Sequence, residues 1–362
     1  MSGVDARAGV LLAMSRLSGA GPARLGWCAA QPPDALWRDV VAGRPLRAPW
    51  SDRALASSWA TEAQRLDPVG EVRRHEAAGV GVVVVGADGY PERLRSDPRP
   101  PAVLCSFGSA PAPTVATVGI VGTRRATSYG LGVAHELGAA LAERGVAVVS
   151  GLALGIDAAA QTGALGAGGE VVGVVAGGLD HVYPGRNASL WRDIAQRGWL
   201  VSEVPLGIRA VRWRFPVRNR ILAALSDVVV VVESNRSGGS MHTVREAELR
   251  GVTVMGVPGS IRSAASEGPN QLISEGCPPC CGVEDLLVAL GLATEGERHA
   301  ATPPDVDAVG HRVLEALGSE RVTIDQLAAR VRMDPSQLSV VVIELELASL
   351  VVNHGGLLEQ AP

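Results

Sequence analysis

The chain has 362 residues, 47% of them hydrophobic, and its 37 acidic and 33 basic side chains give a formal net charge of −4. Such a length predicts two or three domains, and because no apolar run reaches the ~18 residues of a spanning helix, no contact with a membrane is expected. Every basic residue is an arginine, which excludes the Walker-A lysine of a P-loop ATPase and the Schiff-base lysine of a pyridoxal phosphate enzyme.

Residues 1–65 have a helical pattern of apolar residues. Within them, LLAMSRLSGAGPARLGWCAA is interrupted by GAGP, which predicts two short helices joined by a glycine turn. The pair is either a helix-hairpin-helix, a SAM-like module that binds the DNA backbone through its hairpin amides, or a small module that packs on its neighbour, which we favour. The stretch lacks the layout of a signal peptide, so we expect a cytoplasmic protein.

Residues 66–292 alternate short β-branched runs with helical stretches. Continuous apolar strands separated by helices are typical of a parallel sheet covered on both faces. The pattern therefore predicts an α/β core with a doubly wound, mainly parallel sheet. The runs are VGVVVV (80–85), VGIV (118–121), VAVV (146–149), VVGVV (171–175), WLVS (199–202), DVVVVVE (227–233) and VTVMGV (252–257).

The segments after these strands are rich in glycine, arginine and polar side chains. Ligands of such sheets bind at the carboxyl ends of the strands, so these loops predict a site along one edge. The loops are GTRRATSYG (122–130), SGLALGID (150–157), AGGLDHVYPGRN (176–187), SEVPLGIRAVRWRFPVRNR (202–220), ESNRSGGSMHT (233–243) and PGS (258–260).

Several of these loops also open a helix, where glycine lets backbone amides approach an anion. We predict phosphate binding there, and the alternative is a tight turn without a ligand. The candidate residues are Gly122, Thr123, Arg124, Ser150, Gly151, Gly155, Gly239, Ser240 and Thr243. Asp157 is expected to cap the following helix. The GxGxxG fingerprint of dinucleotide sites is missing, and no cofactor is predicted.

The loop at 209–220 holds five arginines within twelve residues, together with Trp213 and Phe215. No acidic residue lies between Glu203 and Asp227. A nucleotide pocket needs only one or two cations, whereas five arginines beside two aromatic rings suit a path of successive phosphates with bases stacked alongside. The alternative is a solvated basic loop that pairs with acidic residues elsewhere.

Two motifs that suggest metal binding or catalysis are incomplete. GCPPCCG (276–282) contains a single CxxC without a second ligand pair, so we predict reduced, buried cysteines and no metal site. GGSMHT (238–243) has the first glycines of the phosphoribohydrolase motif PGGxGTxxE but not the residues that follow them. Glu246 is therefore a weak candidate for a catalytic acid, and no catalytic residue is predicted.

Residues 306–362, after a predicted linker at 293–305, contain three helical segments followed by SLVVNHGGLLEQ, which predicts two strands around a glycine turn. Three helices and a hairpin indicate a winged helix. Residues 305–362 hold nine acidic and four basic side chains, and the helix expected to read DNA has no arginine. We therefore predict that the winged helix adds little to DNA affinity.

Together these motifs resemble the DNA processing protein A family, also called Smf, over nearly all of the chain. The most specific element is FPVRNR followed by the strand SDVVVVVE. The resemblance implies an extended Rossmann-like core in a homodimer that binds single-stranded DNA. Such a protein would protect incoming or exposed strands and help to load the RecA recombinase during transformation and recombination. By position in the family's motifs, the DNA path would be lined by Arg124, Phe215, Arg218, Asn219 and Arg220.

The competing hypothesis comes from a different functional class. It is a nucleotide-processing enzyme, similar to a phosphoribohydrolase, on a related Rossmann fold. The incomplete PGGxGT motif and the arginine-rich loop both favour DNA over a nucleotide substrate. A third hypothesis is a DNA-binding module that serves a mobile element or a defence system. The sequence does not exclude it.

Overall fold

The computed structural model describes residues 3–292, 308–318, 321–347, 350–354 and 356–360. The chain divides into two compact units, Met1–Ala293 and Thr294–Pro362. The linker predicted at 293–305 lies outside the described residues. The apolar side chains of the helical segment and of the sheet belong to one continuous core in the first unit. A domain boundary at residue 65 stays a prediction.

The first unit begins with five helices, and the sequence explains where they start. Prolines stand in the first turn of the second, third and fifth helices, where their missing N–H groups have no helical partner to lose. Asp52 accepts the N–H of Leu55 at 2.8 Å and so caps the fourth helix. The helices are α1 (Gly3–Met14), α2 (Pro22–Ala29), α3 (Pro33–Val41), α4 (Arg53–Ala63) and α5 (Pro68–Ala77).

An eight-stranded sheet follows. Its strands are β1 (Gly81–Val84), β2 (Val103–Phe107), β3 (Thr117–Val121), β4 (Ala147–Ser150), β5 (Val171–Val174), β6 (Trp199–Ser202), β7 (Val228–Val231) and β8 (Thr253–Gly256). They lie in the order β1-β2-β6-β5-β4-β3-β7-β8. At one edge, β1 pairs antiparallel with β2 and β2 pairs antiparallel with β6, whereas the five remaining neighbour pairs are parallel.

The strand order confirms the predicted doubly wound, mainly parallel sheet. β4, β5 and β6 extend to one side of β3, whereas β7 and β8 extend to the other, so the direction of winding reverses between β3 and β7. The loops that leave these two strands diverge, and this is where ligands bind in open α/β sheets. The helices around the sheet are α6 (Glu92–Arg95), α7 (Ser128–Glu143), α8 (Ile156–Gly166), α9 (Ala188–Arg197), α10 (Arg214–Ala224), α11 (Met241–Glu248), α12 (Glu267–Ser274) and α13 (Val283–Ala289).

Small residues bring α7 and α8 into close contact. A side chain at Gly138 of α7 would overlap the carbonyl of Ala160, and one at Gly163 of α8 would overlap the carbonyl of His135. Glycine at both positions therefore lets the two backbones touch. This packing fixes the starts of both helices, which follow β3 and β4, at the carboxyl edge of the sheet.

The second unit has the three helices and the hairpin of the predicted winged helix, and one further short strand. Its elements are α14 (Ala308–Leu317), β9 (Val322–Thr323), α15 (Ile324–Val331), α16 (Pro335–Leu347), β10 (Val351–His354) and β11 (Leu357–Gln360). The strands pair antiparallel in the order β10-β11-β9. Leu317, Leu327 and Leu338 are fully buried at the centre of the unit. Among the residues described in either unit, no helix is both long and apolar enough to span a membrane.

Candidate nucleic-acid interface

An aromatic and cationic cluster lies at the carboxyl edge of the sheet. The ring of Phe215, in the first turn of α10, lies 5.5 Å from the ring of Tyr183. The guanidinium of Arg124 lies 4.9 Å from the centre of the Phe215 ring. These three side chains come from the loops after β3, β5 and β6. With Gly151 and Leu154 they surround an open pocket of about 300 Å³.

Arg218 lies behind this pocket and holds α10 against the sheet. Its guanidinium donates to the carbonyl of Gly151 at 2.9 Å and to the carbonyl of Val174. A side chain at Gly151 would overlap the guanidinium, so only glycine fits there. Burial lowers the pKa of Arg218 to about 10, and Asp157 acts in the opposite direction. Arg218 therefore joins the ends of β4 and β5 to the start of α10.

Asp157 has a different role from the predicted helix cap. Its carboxylate accepts the N–H of Gly151 at 3.1 Å and that of Ala153 at 3.4 Å. These are amides of the preceding loop, because Asp157 lies inside α8 and the position before that helix is Gly155. Burial raises the pKa of Asp157, whereas Arg218 and the two amides oppose that shift. Asp157 thus shapes the loop after β4.

Asn219 and Arg220 of α10 also have partners inside the protein. Arg220 donates to the carbonyl of Arg99 at 2.6 Å and to the carboxylate of Glu203. Asn219 accepts from Arg218 at 3.2 Å and donates to the carbonyl of Gly239 at 3.5 Å. The exposed fractions of residues 218, 219 and 220 are only 6%, 8% and 3%. Direct contact of these residues with DNA stays a prediction, and their observed contacts position α10.

Glu233, which the sequence analysis did not single out, holds the loop between β3 and α7. Its carboxylate accepts the N–H of Thr127 at 2.9 Å and the hydroxyl of Thr127 at 2.5 Å. The carbonyl of Glu233 accepts the N–H of Thr123 at 2.7 Å. The side-chain oxygen of Thr123 accepts the N–H of Arg125 at 3.2 Å. A protein carboxylate therefore occupies the start of α7, where phosphate was predicted. The sequence feature that could have identified Glu233 is its position, an acidic residue directly after the apolar strand β7.

The predicted hydroxyl groups are also engaged inside the protein. Ser150 donates to the carbonyl of Ile120 at 2.6 Å, and Ser240 donates to the hydroxyl of Ser234 at 2.8 Å. Thr243 is buried in α11. Of the predicted phosphate-binding residues, Arg124 and Gly239 are exposed, and Gly122, Thr123 and Gly155 are partly exposed. A role for the others in receiving phosphate stays a prediction.

The exposed cations of this edge lie on the loops around the pocket. Planar guanidinium groups suit phosphate oxygens. Exposed apolar and aromatic side chains, Val182, Val211 and Trp213, lie between them in the sequence. The exposed arginines of these loops include Arg124, Arg125, Arg186, Arg209, Arg212 and Arg236.

The loop that leads into α10 is anchored by the helical segment. The guanidinium of Arg16 donates to the carbonyl of Leu206 at 2.7 Å and pairs with Glu71 at 2.6 Å. His75, which is buried in α5, accepts the N–H of Leu206 at 3.2 Å through Nε2. Asp180 accepts the N–H of Gly207 at 2.8 Å. The first helices thus fix the position of the arginine-rich loop.

The residues of the two incomplete motifs differ in their surroundings. Cys280 is buried as predicted, whereas Cys277 is half-buried and Cys281 is exposed. Glu246 pairs with Arg99 and with Arg250, and these arginines hold its pKa below its usual value despite burial. Arg250 also pairs with the buried Asp97. No group of three or more His, Cys, Asp or Glu side chains in the described residues has an arrangement that fits a metal ion.

Comparisons with known proteins identify a family to which the chain is similar. Residues 81–291 match the family model for DNA recombination-mediator protein A, and residues 297–356 match the DprA winged helix domain. The chain is 40% identical over 265 residues to the putative DNA processing protein DprA of Mycobacterium tuberculosis, covering 71% of this chain and 68% of the relative. It is 37% identical over 213 residues to the DNA processing protein DprA of Bacillus subtilis, covering 59% and 72%.

Two solved structures share the fold. DNA processing protein A from Streptococcus pneumoniae aligns with a TM-score of 0.60 and 30% identity, covering 64% of this chain and 81% of that one. The protein from Helicobacter pylori, whose structure was described for its single-stranded DNA binding mode, aligns with a TM-score of 0.52 and 28% identity, covering 58% and 95%. With its doubly wound core, its winged helix and the motifs along its sheet edge, the chain belongs to the DNA processing protein A family of DNA recombination mediators.

Proposed function

We propose that this chain mediates recombination by binding single-stranded DNA along the carboxyl edge of its sheet. The observation that carries the proposal is the open pocket around which Phe215, Tyr183 and Arg124 converge. An aromatic ring beside a cation stacks with any base, since every base has a π-face. The relative from Helicobacter pylori, described as binding single-stranded DNA, supports the same ligand here.

The phosphates of the strand bind to the exposed arginines on the loops, among them Arg124, Arg209 and Arg212. A guanidinium at the surface keeps its charge and offers two parallel N–H groups to a phosphate. The buried residues Arg218 and Arg220 act differently, because they hold α10 and the ring of Phe215 in place.

A nucleotide-processing enzyme is not favoured by the geometry. Glu246, the candidate acid, is held by two arginines, and the hydroxyls of Ser150 and Ser240 donate to other protein groups. The relatives are named as DNA processing proteins and recombination mediators. We therefore propose binding without a catalytic step.

Further parts of the proposal follow from family membership. The strand would be protected on this surface and passed to the RecA recombinase in the cytoplasm. A homodimer would present two such edges to one strand. We also propose a helical domain over residues 1–65 and a DNA-binding core over residues 66–292.

The test is a titration of the protein with labelled oligothymidylate, with duplex DNA and with free nucleotides. We expect the single strand to bind most tightly, with a log–log salt slope of about −0.7 for each phosphate neutralised. Phe215→Ala should weaken binding by about tenfold, the effect of losing one stacked base. A flat salt response, a preference for free nucleotides, or an unchanged affinity of Phe215→Ala would refute the proposed function.

A further inference from the structure

A second pocket lies against the residues that immediately precede Phe215. It holds about 410 Å³ of empty space and is open to solvent on one side. Trp213 and Arg214 form one wall, Glu203 and Val204 form another, and Gly21 and Leu25 of the helical segment close it. The turn between α1 and α2 therefore faces the start of α10 across this pocket.

Arg214 and Glu203, which line the pocket, carry polar groups suited to a ligand with a polar edge. The Nε of Arg214 is buried and has no hydrogen-bond partner among the described residues. Buried donors of this kind are rare in folded proteins unless a ligand or water completes them. On the neighbouring wall, the carboxylate of Glu203 is paired with Arg220, so its charge is compensated and it still offers acceptor oxygens.

The remaining surface is suited to a flat, apolar face. The ring of Trp213 is 55% exposed although it is one of the largest apolar side chains in the chain. The guanidinium of Arg214 lies 4.6 Å from the centre of that ring. Trp213 and Leu25 present flat and apolar groups, whereas Arg214 and Glu203 present a donor and an acceptor. A nucleobase has both features, a ring face and an edge with donors and acceptors.

We propose that this pocket is a second base subsite on the path of the single strand. Residues 213, 214 and 215 are consecutive, and Phe215 lines the first pocket whereas the other two line the second. A strand that passes over the start of α10 thus places one base in each. The inference rests on the proposed function, and it gives the helical segment a direct part in DNA binding.

The first experiment narrows the pocket from the helical side. Gly21 has φ −78° and ψ 174°, and no atom lies within 4 Å of the position of an added Cβ. Gly21→Leu therefore fits the backbone and fills the pocket. Gly26→Leu is the matched control, because Gly26 lies on the exposed face of α2, the helix that begins directly after Gly21, with equally open space around it. Each variant is titrated with oligothymidylate and with an oligomer of abasic deoxyribose phosphates of the same length.

We expect Gly21→Leu to weaken binding of oligothymidylate by about tenfold and to leave the abasic oligomer unaffected. Gly26→Leu should bind both oligomers as the wild type does. If Gly21→Leu changes neither affinity, or weakens both equally, the pocket is not a base subsite and the inference is overturned.

A second variant tests the N–H groups of Arg214 and leaves the turn between α1 and α2 unchanged. Arg214→Met keeps the volume of the side chain but removes its N–H groups, so it should also discriminate between the two oligomers. Arg212→Met removes an exposed charge and should weaken both oligomers alike. If Arg214→Met weakens binding of both oligomers equally, the inference is contradicted. If Phe215→Ala binds oligothymidylate as tightly as the wild type does, the proposed function fails, which separates the two results.

Discussion

Burial separates the arginines at the carboxyl edge into two groups with different physical roles. Arg218 is enclosed among carbonyl groups and lies near the buried carboxylate of Asp157. Arg124 is exposed and its guanidinium lies over the ring of Phe215. In the sequence, both arginines lie beside glycine-rich loops. Whether a guanidinium faces solvent or buried carbonyl groups depends on the tertiary structure, so the sequence does not distinguish the two.

We predict that Arg218→Met lowers the free energy of unfolding by about 3 kcal/mol, since it removes the cation that acts most strongly on the buried carboxylate of Asp157. It should also weaken DNA binding, because α10 loses its anchor. Arg124→Met should lower DNA affinity by about tenfold and leave stability nearly unchanged, since it removes one charge-assisted contact at the surface. Urea unfolding and DNA titration of both variants provide the comparison. Equal stability of the two variants would contradict the assignment of Arg218.

At the level of elements, the contact between α7 and α8 sets the positions of the two loops at the winding reversal. Gly138→Ala should lower the free energy of unfolding by about 2 kcal/mol, because the added methyl group overlaps the carbonyl of Ala160 and forces the helices apart. Gly132→Ala is the control in the same helix. Its methyl group would meet only the end of Glu136 at 3.9 Å, so it should stabilise the protein slightly through helix propensity. Thermal unfolding of the two variants measures the difference in their stability. Equal effects would mean that this contact tolerates a methyl group.

The link between α5 and the arginine-rich loop depends on a neutral histidine. Nδ1 of His75 donates to the carbonyl of Glu71 at 2.7 Å, which leaves Nε2 as the acceptor for the N–H of Leu206 at 3.2 Å. Burial lowers the pKa of His75, and the nearby guanidinium groups of Arg16 and Arg74 act in the same direction. The folded state therefore favours the unprotonated ring.

Because the folded pKa of His75 lies below the unfolded value of about 6.5, the unfolded chain takes up the proton first as the pH falls. The stability that His75 contributes is fully present above about pH 6.5 and declines below it. We predict that the difference in unfolding free energy between the wild type and His75→Gln narrows below that pH. Urea unfolding of both proteins across a pH series measures this difference. If the difference widens as the pH falls, His75 is not neutral in the folded state.

The sequence predicts the sheet well because continuous valine-rich runs, such as β7, admit few other structures. It predicts the wing and helices of the second unit from their periodicity. It does not predict the partner of each loop residue, because those partners are distant in the chain. Glu233 lies 106 positions from Thr127, and Asp157 turns back to the amides that precede it. The pocket around Phe215 is formed by segments that are distant in the sequence. A local sequence pattern does not show that such segments meet.

For the whole molecule, charge is distributed unevenly. The winged helix carries nine acidic and four basic side chains in residues 305–362. Residues 209–220, which form the end of the loop after β6 and the start of α10, have five arginines and no acid. A negative surface repels phosphates, so the fold of this unit does not by itself indicate DNA binding.

We predict that a chain ending at Leu292 keeps most of its affinity for single-stranded DNA at moderate salt. The first unit has its own core and ends at Ala293. Circular dichroism is the control that checks the fold of the truncated chain before titration. Loss of most of the affinity would show that the winged helix is part of the DNA site.

The carboxylate of Glu233 at the start of α7 has a consequence for how fast and how tightly a strand is captured. The loop is already closed around an internal anion before DNA arrives, so its conformational entropy is lost during folding and not during binding. A receptor of this kind behaves as a rigid template. Encounter is then limited by electrostatic steering toward the arginines and not by a slow rearrangement of the loop. A surface that is already ordered before the strand arrives therefore favours rapid association over slow induced fit.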